Sequence, residues 1–240
     1  MKERLIVALD TSTGEKALEL VKALKEHVGM FKVGMELFYA EGPDIVRKIV
    51  DTGTPVFLDL KLHDIPNTVS GALKQIVRLG ASMINVHAGG GGKMLVKARE
   101  SILEEAEMLG ITPPRLIAVT VLTSLGNEEL QEELGVKRQI EAHVVELAKL
   151  SRDARLDGVV ASPQEIRAIK EECGDGFLTV TPGIRPQWAQ KQDQSRVMTP
   201  AEAVLTGGDY FVIGRLITAA DNPADAAEKI LEEMRGSKHA

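Results

Sequence analysis

Eight short apolar runs recur along the chain, each followed by a longer stretch with helical spacing, and this alternation limits the fold more than any other feature. The runs are "LIVAL" (5–9), "MFKVG" (30–34), "PVFLDL" (55–60), "MINVH" (83–87), "RLIAVTVL" (115–122), "LDGVVA" (156–161), "FLTVTPG" (177–183) and "DYFVIG" (209–214). Between them, stretches such as "RQIEAHVVELAKLSRDA" place Ile140, Val144 and Leu147 on one helical face as a core-facing stripe. Strands that alternate with helices imply parallel pairing through right-handed crossovers, and strands that are apolar throughout imply a sheet covered on both faces. Eight such units in 240 residues, about 30 each, match an α/β fold of the (β/α)8 TIM-barrel type, formed as a single domain. We place that domain at 1–235 and expect the tail, 236–240, to fray. A doubly wound open sheet is the competing architecture. It would usually use fewer strands, and no G-x-G-x-x-G follows the first one.

Composition removes several function classes. Lys plus Arg total 29 against 35 Asp plus Glu, and aromatic residues are 3%, so the chain lacks the basic, base-stacking surface of a nucleic-acid binder. With a formal net charge of −6, an anionic partner must be met by a local cluster. The single cysteine, Cys173, excludes an intramolecular disulfide and suits a reducing compartment; it reads as an ordinary helix thiol. The apolar run behind Met1-Lys2-Glu3-Arg4 is too short for a signal segment or a membrane span, so a cytoplasmic location is expected. The five histidines, at 27, 63, 87, 143 and 239, have no metal-ligand spacing, and no metal is expected. "AGGGG" (88–92) lacks the Lys-Ser/Thr of a phosphate-binding P-loop and reads as a turn before a helix.

Polar residues gather at the carboxyl ends of the runs: Asp10, Lys32, Asp59 with Lys61, His87, Thr123, Ser162, Gly183 and Gly214. In a (β/α)8 barrel those ends converge on the face that carries the chemistry. Lys32, between Phe31 and Val33, either snorkels from a strand end or has a buried partner. Asp10 either caps the next helix or lines the site. In "FLDLKLHDIPNTV" (57–69) the period of two puts Asp59 and Lys61 on one face, about 7 Å apart along the strand. His63 falls past the strand end, in a solvated or supporting place, and His87 reads as a satisfied strand-end histidine. Asp64 precedes Pro66, Asn67 and Thr68 and either caps a helix or joins the site.

If Lys32, Asp59, Lys61 and Asp64 meet, two cations and two anions alternate. A fixed carboxylate at Asp59 would disfavour a substrate carboxylate beside it, and the Lys61 ammonium would favour a developing carbanion and then protonate it. Such an array suits loss of carbon dioxide; a purely structural ion-pair network is the alternative. Gly183 with Arg185 and Gly214 with Arg215 follow the seventh and eighth runs, where barrels frequently bind phosphate, so a phosphorylated substrate is implied. The long polar connection from Arg185 to Val197, holding Trp188, reads as an active-site lid or a solvated connector.

"DLKLHDIPNTV" carries a D-x-K-x-x-D-I-x-N-T pattern that resembles the orotidine 5′-phosphate decarboxylase family. "ALD" (8–10), "FKVG" (31–34), "VTVLTS" (119–124), "TPGIR" (181–185), "DQSRVMTP" (193–200) and "VIGR" (212–215) extend the resemblance over the whole chain. The resemblance implies a homodimeric barrel without metal or cofactor that converts orotidine monophosphate to uridine monophosphate. It implies that Lys61 donates the proton to C6, that Asp59 stands beside the departing group, and that Lys32 links the array to the ribose. Asp64 and Thr68 would reach the neighbouring subunit's site, and Asp10 would hold a ribose hydroxyl. Thr123, with Ser124 as the alternative beside it, would face the pyrimidine, while Arg185, Gln194, Gly214 and Arg215 would hold the phosphate. Two other readings share the barrel: a metal-dependent sugar-phosphate decarboxylase or synthase with the same D-x-K-x-x-D pattern, and a non-catalytic nucleotide sensor.

Overall fold

The computed structural model describes residues 1–189 and 198–236. Its strands are β1 (Leu5–Ala8), β2 (Met30–Gly34), β3 (Val56–Leu62), β4 (Met83–His87), β5 (Arg115–Val119), β6 (Gly158–Val160), β7 (Leu178–Thr181) and β8 (Tyr210–Ile213). They close in sequence order into a barrel, with every neighbouring pair parallel and β8 returning to β1. The helices α1 (Gly14–Leu24), α2 (Met35–Glu41), α3 (Asp44–Val50), α4 (Pro66–Val77), α5 (Gly91–Leu109), α6 (Ile140–Asp153), α7 (Ile166–Cys173), α8 (Pro200–Leu205), α9 (Arg215–Thr218) and α10 (Pro223–Gly236) stand between and after them. The expected (β/α)8 barrel is the architecture found. Among the described residues no helix is long and apolar enough to cross a membrane.

Each strand is apolar on both sides because each side meets protein. Ile6, Met30, Phe57, Met83, Ile117 and Val180 fill the barrel as one cluster. Their alternate neighbours, such as Leu5, Val7, Phe31, Val33, Val56, Leu58, Ile84 and Leu116, pack with the helices in a second, larger cluster. Period-two geometry divides every run between these two layers. The helices contribute matching stripes: Ala17, Leu20, Val21 and Leu24 are buried on α1, and the α6 stripe buries Val144 with Ile140 and Leu147 packed against the core. Helix α8 begins at a capping box, in which the Thr199 hydroxyl accepts from the Glu202 N–H and the Glu202 carboxylate accepts from the Thr199 N–H.

Two runs end two or more residues sooner than their composition suggests. The fifth was expected to reach Leu122 but stops at Val119; the Thr120 N–H and hydroxyl both still donate to the Val160 carbonyl, and a turn then forms from Leu122 to Leu125. The seventh stops at Thr181, since Pro182 has no N–H to extend the ladder. "AGGGG" is a turn into a helix, a 3-10 segment over Ala88–Gly90 that runs into α5.

Strands β6 and β7 approach closely at Gly158. A Cβ placed on Gly158 would lie 2.2 Å from the Leu178 carbonyl oxygen and 2.6 Å from the Leu178 Cβ, and neither strand can move without opening the ladder. Gly158→Ala is therefore expected to cost about 1–3 kcal/mol through overpacking. Thermal denaturation should show a fall of several degrees, and an unchanged melting temperature would show that the two strands have slack.

Candidate active site

The inward positions of β2 to β4 turn from apolar to polar one step beyond the barrel-filling layer, and those of β1 one step later, just past the strand end. Ile6 is followed on its face by Ala8 and Asp10, Met30 by Lys32, Phe57 by Asp59, and Met83 by Asn85 and His87. The same alternation that fills the barrel therefore aims these groups at the mouth of its carboxyl end.

Three of them, Asp10, Lys32 and Asp59, form with Lys61 a continuous chain of opposite charges. The Lys32 ammonium lies 3.1 Å from Asp10 Oδ1 and 3.5 Å from Asp59 Oδ2, and Lys61 Nζ lies 2.7 Å from Asp59 Oδ1. The Asp59 and Lys32 side chains are only 12% and 11% exposed, whereas that of Asp10 is 49% exposed. Burial pushes the Asp59 carboxyl up, but Lys32, Lys61 and the hydrogen bonds from Lys61 and Asn85 outweigh it and leave the group below the ordinary aspartate value of 3.8. Asp59 is thus a carboxylate throughout the neutral range.

The pairing of Asp59 with Lys61 does not arise from simple strand alternation. Lys61 has φ of 52°, in the left-handed region, and the β3–β4 ladder shifts register between Leu58 and Leu62. A non-glycine residue there costs about 1–3 kcal/mol. Charge-assisted hydrogen bonds contribute about 1.5–3 kcal/mol each, so the contacts around Lys61 suffice to hold the strained backbone. Its N–H donates to Asn85 Oδ1 at 2.8 Å, and Asn85 Nδ2 donates to Asp59 Oδ1 at 2.6 Å. Asn85 is fully buried. Sequence reading passed over it inside the apolar run "MINVH", although it sits on the same face as Met83, with its counterpart Asp59 one strand away.

Within one chain the expected grouping is met by three of its four members. Asp64 does not meet Lys61 there: it is exposed, and its Oδ1 accepts the Ile65 N–H at 2.6 Å. Within the chain the further group beside Lys32 is Asp10. Thr68 lies in the first turn of α4 and is also exposed, as is Ile65. Asp64 is no helix cap, because that place is taken by Ile65. His63 stacks on His87 with ring centroids 5.0 Å apart, and His87 Nδ1 accepts the Gly89 N–H. Burial, then His63 and Lys61, lower the His87 pKa and keep the ring neutral near pH 7.

The loops of β5 to β8 supply a second region. Thr123, Ser162, Gly183 and Arg185 line a cavity of about 200 Å³ with Leu122 and Gln164, and the charge chain lies outside its walls. Thr123 is four residues beyond the end of β5 and lines this cavity, whereas its neighbour Ser124 does not. Gly183 has φ of 80°, which only glycine adopts freely. The Arg185 N–H donates to the Met198 carbonyl, so this arginine is fixed by a backbone bridge on the far side of residues 190–197. Gly214 precedes α9 and lies beside Asp10, since a Cβ on it would stand 3.6 Å from Asp10 Oδ2; Arg215 is exposed. Trp188 is exposed in a 3-10 turn, while Gln194 and most of the supposed lid lie outside the described residues.

A parallel barrel with an ion-pair chain at its carboxyl mouth and glycine-arginine loops after β7 and β8 defines the site of a barrel enzyme for an anionic, phosphorylated substrate. Residues 3–230 match the family model described as "Orotidine 5'-phosphate decarboxylase / HUMPS family", and the chain belongs to that family. It is 53% identical to the orotidine 5′-phosphate decarboxylase of Moorella thermoacetica, covering 97% of this chain and 92% of that protein. It is 52% identical to the same-named protein of Carboxydothermus hydrogenoformans over 100% and 99% of the two chains. Among solved structures, the orotidine 5′-phosphate decarboxylase of Lactobacillus acidophilus superimposes with a TM-score of 0.85 at 39% identity, over 96% of this chain and 98% of that one. The corresponding Pyrococcus horikoshii structure gives 0.77 at 28% identity over 97% and 99%.

The charge chain has a consequence for stability. Because the folded Asp59 binds its proton more weakly than in the unfolded chain, its contribution is fully present above 3.8 and is lost as pH falls through the lower folded value. Asp59→Asn should therefore show a shallower loss of stability than the parent on acidification below about pH 4. Urea denaturation across that range checks it, and parallel curves would show that Asp59 is not held ionised by its neighbours.

Proposed function

We propose that this chain decarboxylates orotidine 5′-monophosphate to uridine 5′-monophosphate at the mouth of the barrel. The observation that carries the reading is a buried Asp59 carboxylate clamped between the ammonium groups of Lys32 and Lys61. The names of curated relatives at about half identity over nearly the whole chain support it.

In the proposed reaction the carboxylate on C6 of the pyrimidine is brought beside Asp59. The bond from C6 to that carboxylate breaks, carbon dioxide leaves, and the electron pair stays on C6. Lys61 transfers a proton to C6 and is later reprotonated from solvent, so that one proton is consumed for each carbon dioxide released. Two unit charges 4 Å apart interact by about 4 kcal/mol at an effective dielectric constant near 20. That is about three powers of ten in rate. Repulsion from Asp59 is thus one contribution, and stabilisation of the developing carbanion by the fixed Lys61 ammonium must add to it.

The remaining roles are proposed from the family resemblance: Lys32 and Asp10 toward the ribose, Thr123 toward the pyrimidine, and Arg185, Gly214 and Arg215, with Gln194, toward the phosphate. We further propose a cytoplasmic homodimer in which Asp64 and Thr68 complete the neighbouring site; their exposure beside exposed Ile65 supports this. The reading of a metal-dependent sugar-phosphate enzyme is less favoured, because the carboxylates of Asp10 and Asp59 already have ammonium partners.

The direct test is loss of orotidine monophosphate absorbance on adding the purified, EDTA-treated protein. Full turnover after chelation is expected; activity that disappears and returns with a divalent cation would overturn the assignment in favour of the metal-dependent relatives. Lys61→Ala should leave product-nucleotide binding measurable by calorimetry while lowering kcat by at least about a thousandfold, since it removes both the proton donor and one side of the clamp. Near-parent turnover in that variant would discard the mechanism.

A further inference from the structure

An amide buried in the middle of an apolar strand needs a reason, because a buried polar group without partners is costly. Asn85 is fully buried on the inward face of β4, between Met83 and His87. Beside it, the β3–β4 ladder passes from the pair Leu58 and Ile84 to the pair Leu62 and Val86. Four steps along β3 are thus matched by two along β4. Such a bulge leaves backbone groups of the longer strand without ladder partners. The Lys61 N–H is one of these, and Asn85 Oδ1 accepts it.

The orientation of the amide follows from its neighbours. A backbone N–H can only donate and an ionised carboxylate can only accept, so the oxygen of Asn85 must face Lys61 and its nitrogen must face Asp59. Asp59 Oδ1 then receives two donors, Asn85 Nδ2 and Lys61 Nζ, while Oδ2 is left toward Lys32. One neutral side chain fixes both ends of the reacting pair: the rotation of the Asp59 carboxylate and the left-handed backbone from which the Lys61 side chain departs.

We propose that Asn85 is a positioning residue for decarboxylation, holding the Asp59 carboxylate and the Lys61 backbone in register so that the ammonium stands where C6 will need a proton. This deepens the function proposed above and rests on it. Asn85 adds no charge, so its effect is geometric, with a secondary effect on the ionisation of Asp59. The charged groups around Asp59 are Lys61 on its own strand and Lys32 on β2, with Asp10 of β1 beyond Lys32; from β4 come Asn85 and, near Lys61, His87 with the His63 ring stacked on it. Of these, removing Asn85 withdraws a donor from the carboxylate and should move the acid limb of kcat/KM to higher pH.

The test compares the parent with Asn85→Ala and with the nearly isosteric Asn85→Asp. Turnover of orotidine monophosphate, its pH profile and calorimetric binding of uridine 5′-monophosphate are measured for each. In both variants kcat is expected to fall on the order of a hundredfold, the effect of about an ångström of misplacement. Affinity for uridine 5′-monophosphate should stay within about threefold, because the amide is not a ligand of the nucleotide. In Asn85→Asp the acid limb should rise furthest, since two carboxyl groups then share one site. A folded variant with kcat within about twofold of the parent, or with an unmoved acid limb, would overturn the proposal. So would failure of both variants to fold, which would assign the amide to the fold alone. If the parent itself does not turn over orotidine monophosphate, the function proposed above fails instead, and the two failures are told apart by that control.

Discussion

A carboxylate set inside a barrel must be stabilised from several sides at once, and the clamp on Asp59 is the constraint around which the site is built. An isolated charge at that depth would cost several kcal/mol in lost solvation. Lys61 from its own strand, Lys32 from β2 and Asn85 from β4 each offset part of that cost. Because the partners come from three adjacent strands, the clamp exists only when the parallel ladder is closed in the right register. The charges therefore report on the fold as much as they use it.

The site also carries local departures from ideal strand geometry. Lys61 adopts a left-handed backbone and β3 slips against β4, yet both departures fall where a side chain must be re-aimed from the strand direction toward the barrel axis. Gly34 supplies the matching space. A Cβ there would stand 2.9 Å from Lys32 Nζ and 3.4 Å from Asp10 Oδ1, so a side chain would push the ammonium away from both of its carboxylates. The ammonium is the far end of a flexible chain and could move cheaply as far as stability is concerned, which makes the glycine a matter of placement more than of folding.

Much of this was legible in the sequence, and the boundary of legibility has physical causes. Strand number and order followed from the eight apolar runs, because each strand must satisfy two packed faces and so leaves a continuous signal. Lys32 and Asp59 stood out because charge within such a run demands a partner. Asn85 did not, since one amide hardly disturbs an apolar run, and only the barrel register reveals that it faces Asp59. The pairing of Asp59 with Lys61 was reached by a period-two argument that the left-handed Lys61 does not obey. That Asp10 joins the chain of charges within one protomer was missed for a similar reason. Proximity along the sequence favoured Asp64 over Asp10, whereas the barrel brings Asp10 to Lys32 through β1–β2 pairing.

The two halves of the barrel carry different groups. Strands β1 to β4 carry the charges, and the loops of β5 to β8 carry Thr123, Gly183, Arg185 and Gly214. The seam at which the barrel closes joins them, for Gly214 after β8 lies against Asp10 after β1. On the proposed reading, a nucleotide spanning the mouth would have its phosphate gripped by one half and its reacting carbon presented to the other. Binding energy gathered at the remote phosphate can then hold the substrate carboxylate against Asp59, a contact that is unfavourable in the ground state and is relieved as carbon dioxide departs. For a chain with net charge −6 acting on an anion, that separation matters, because only a grip at a distance from the repelling carboxylate can force the two together.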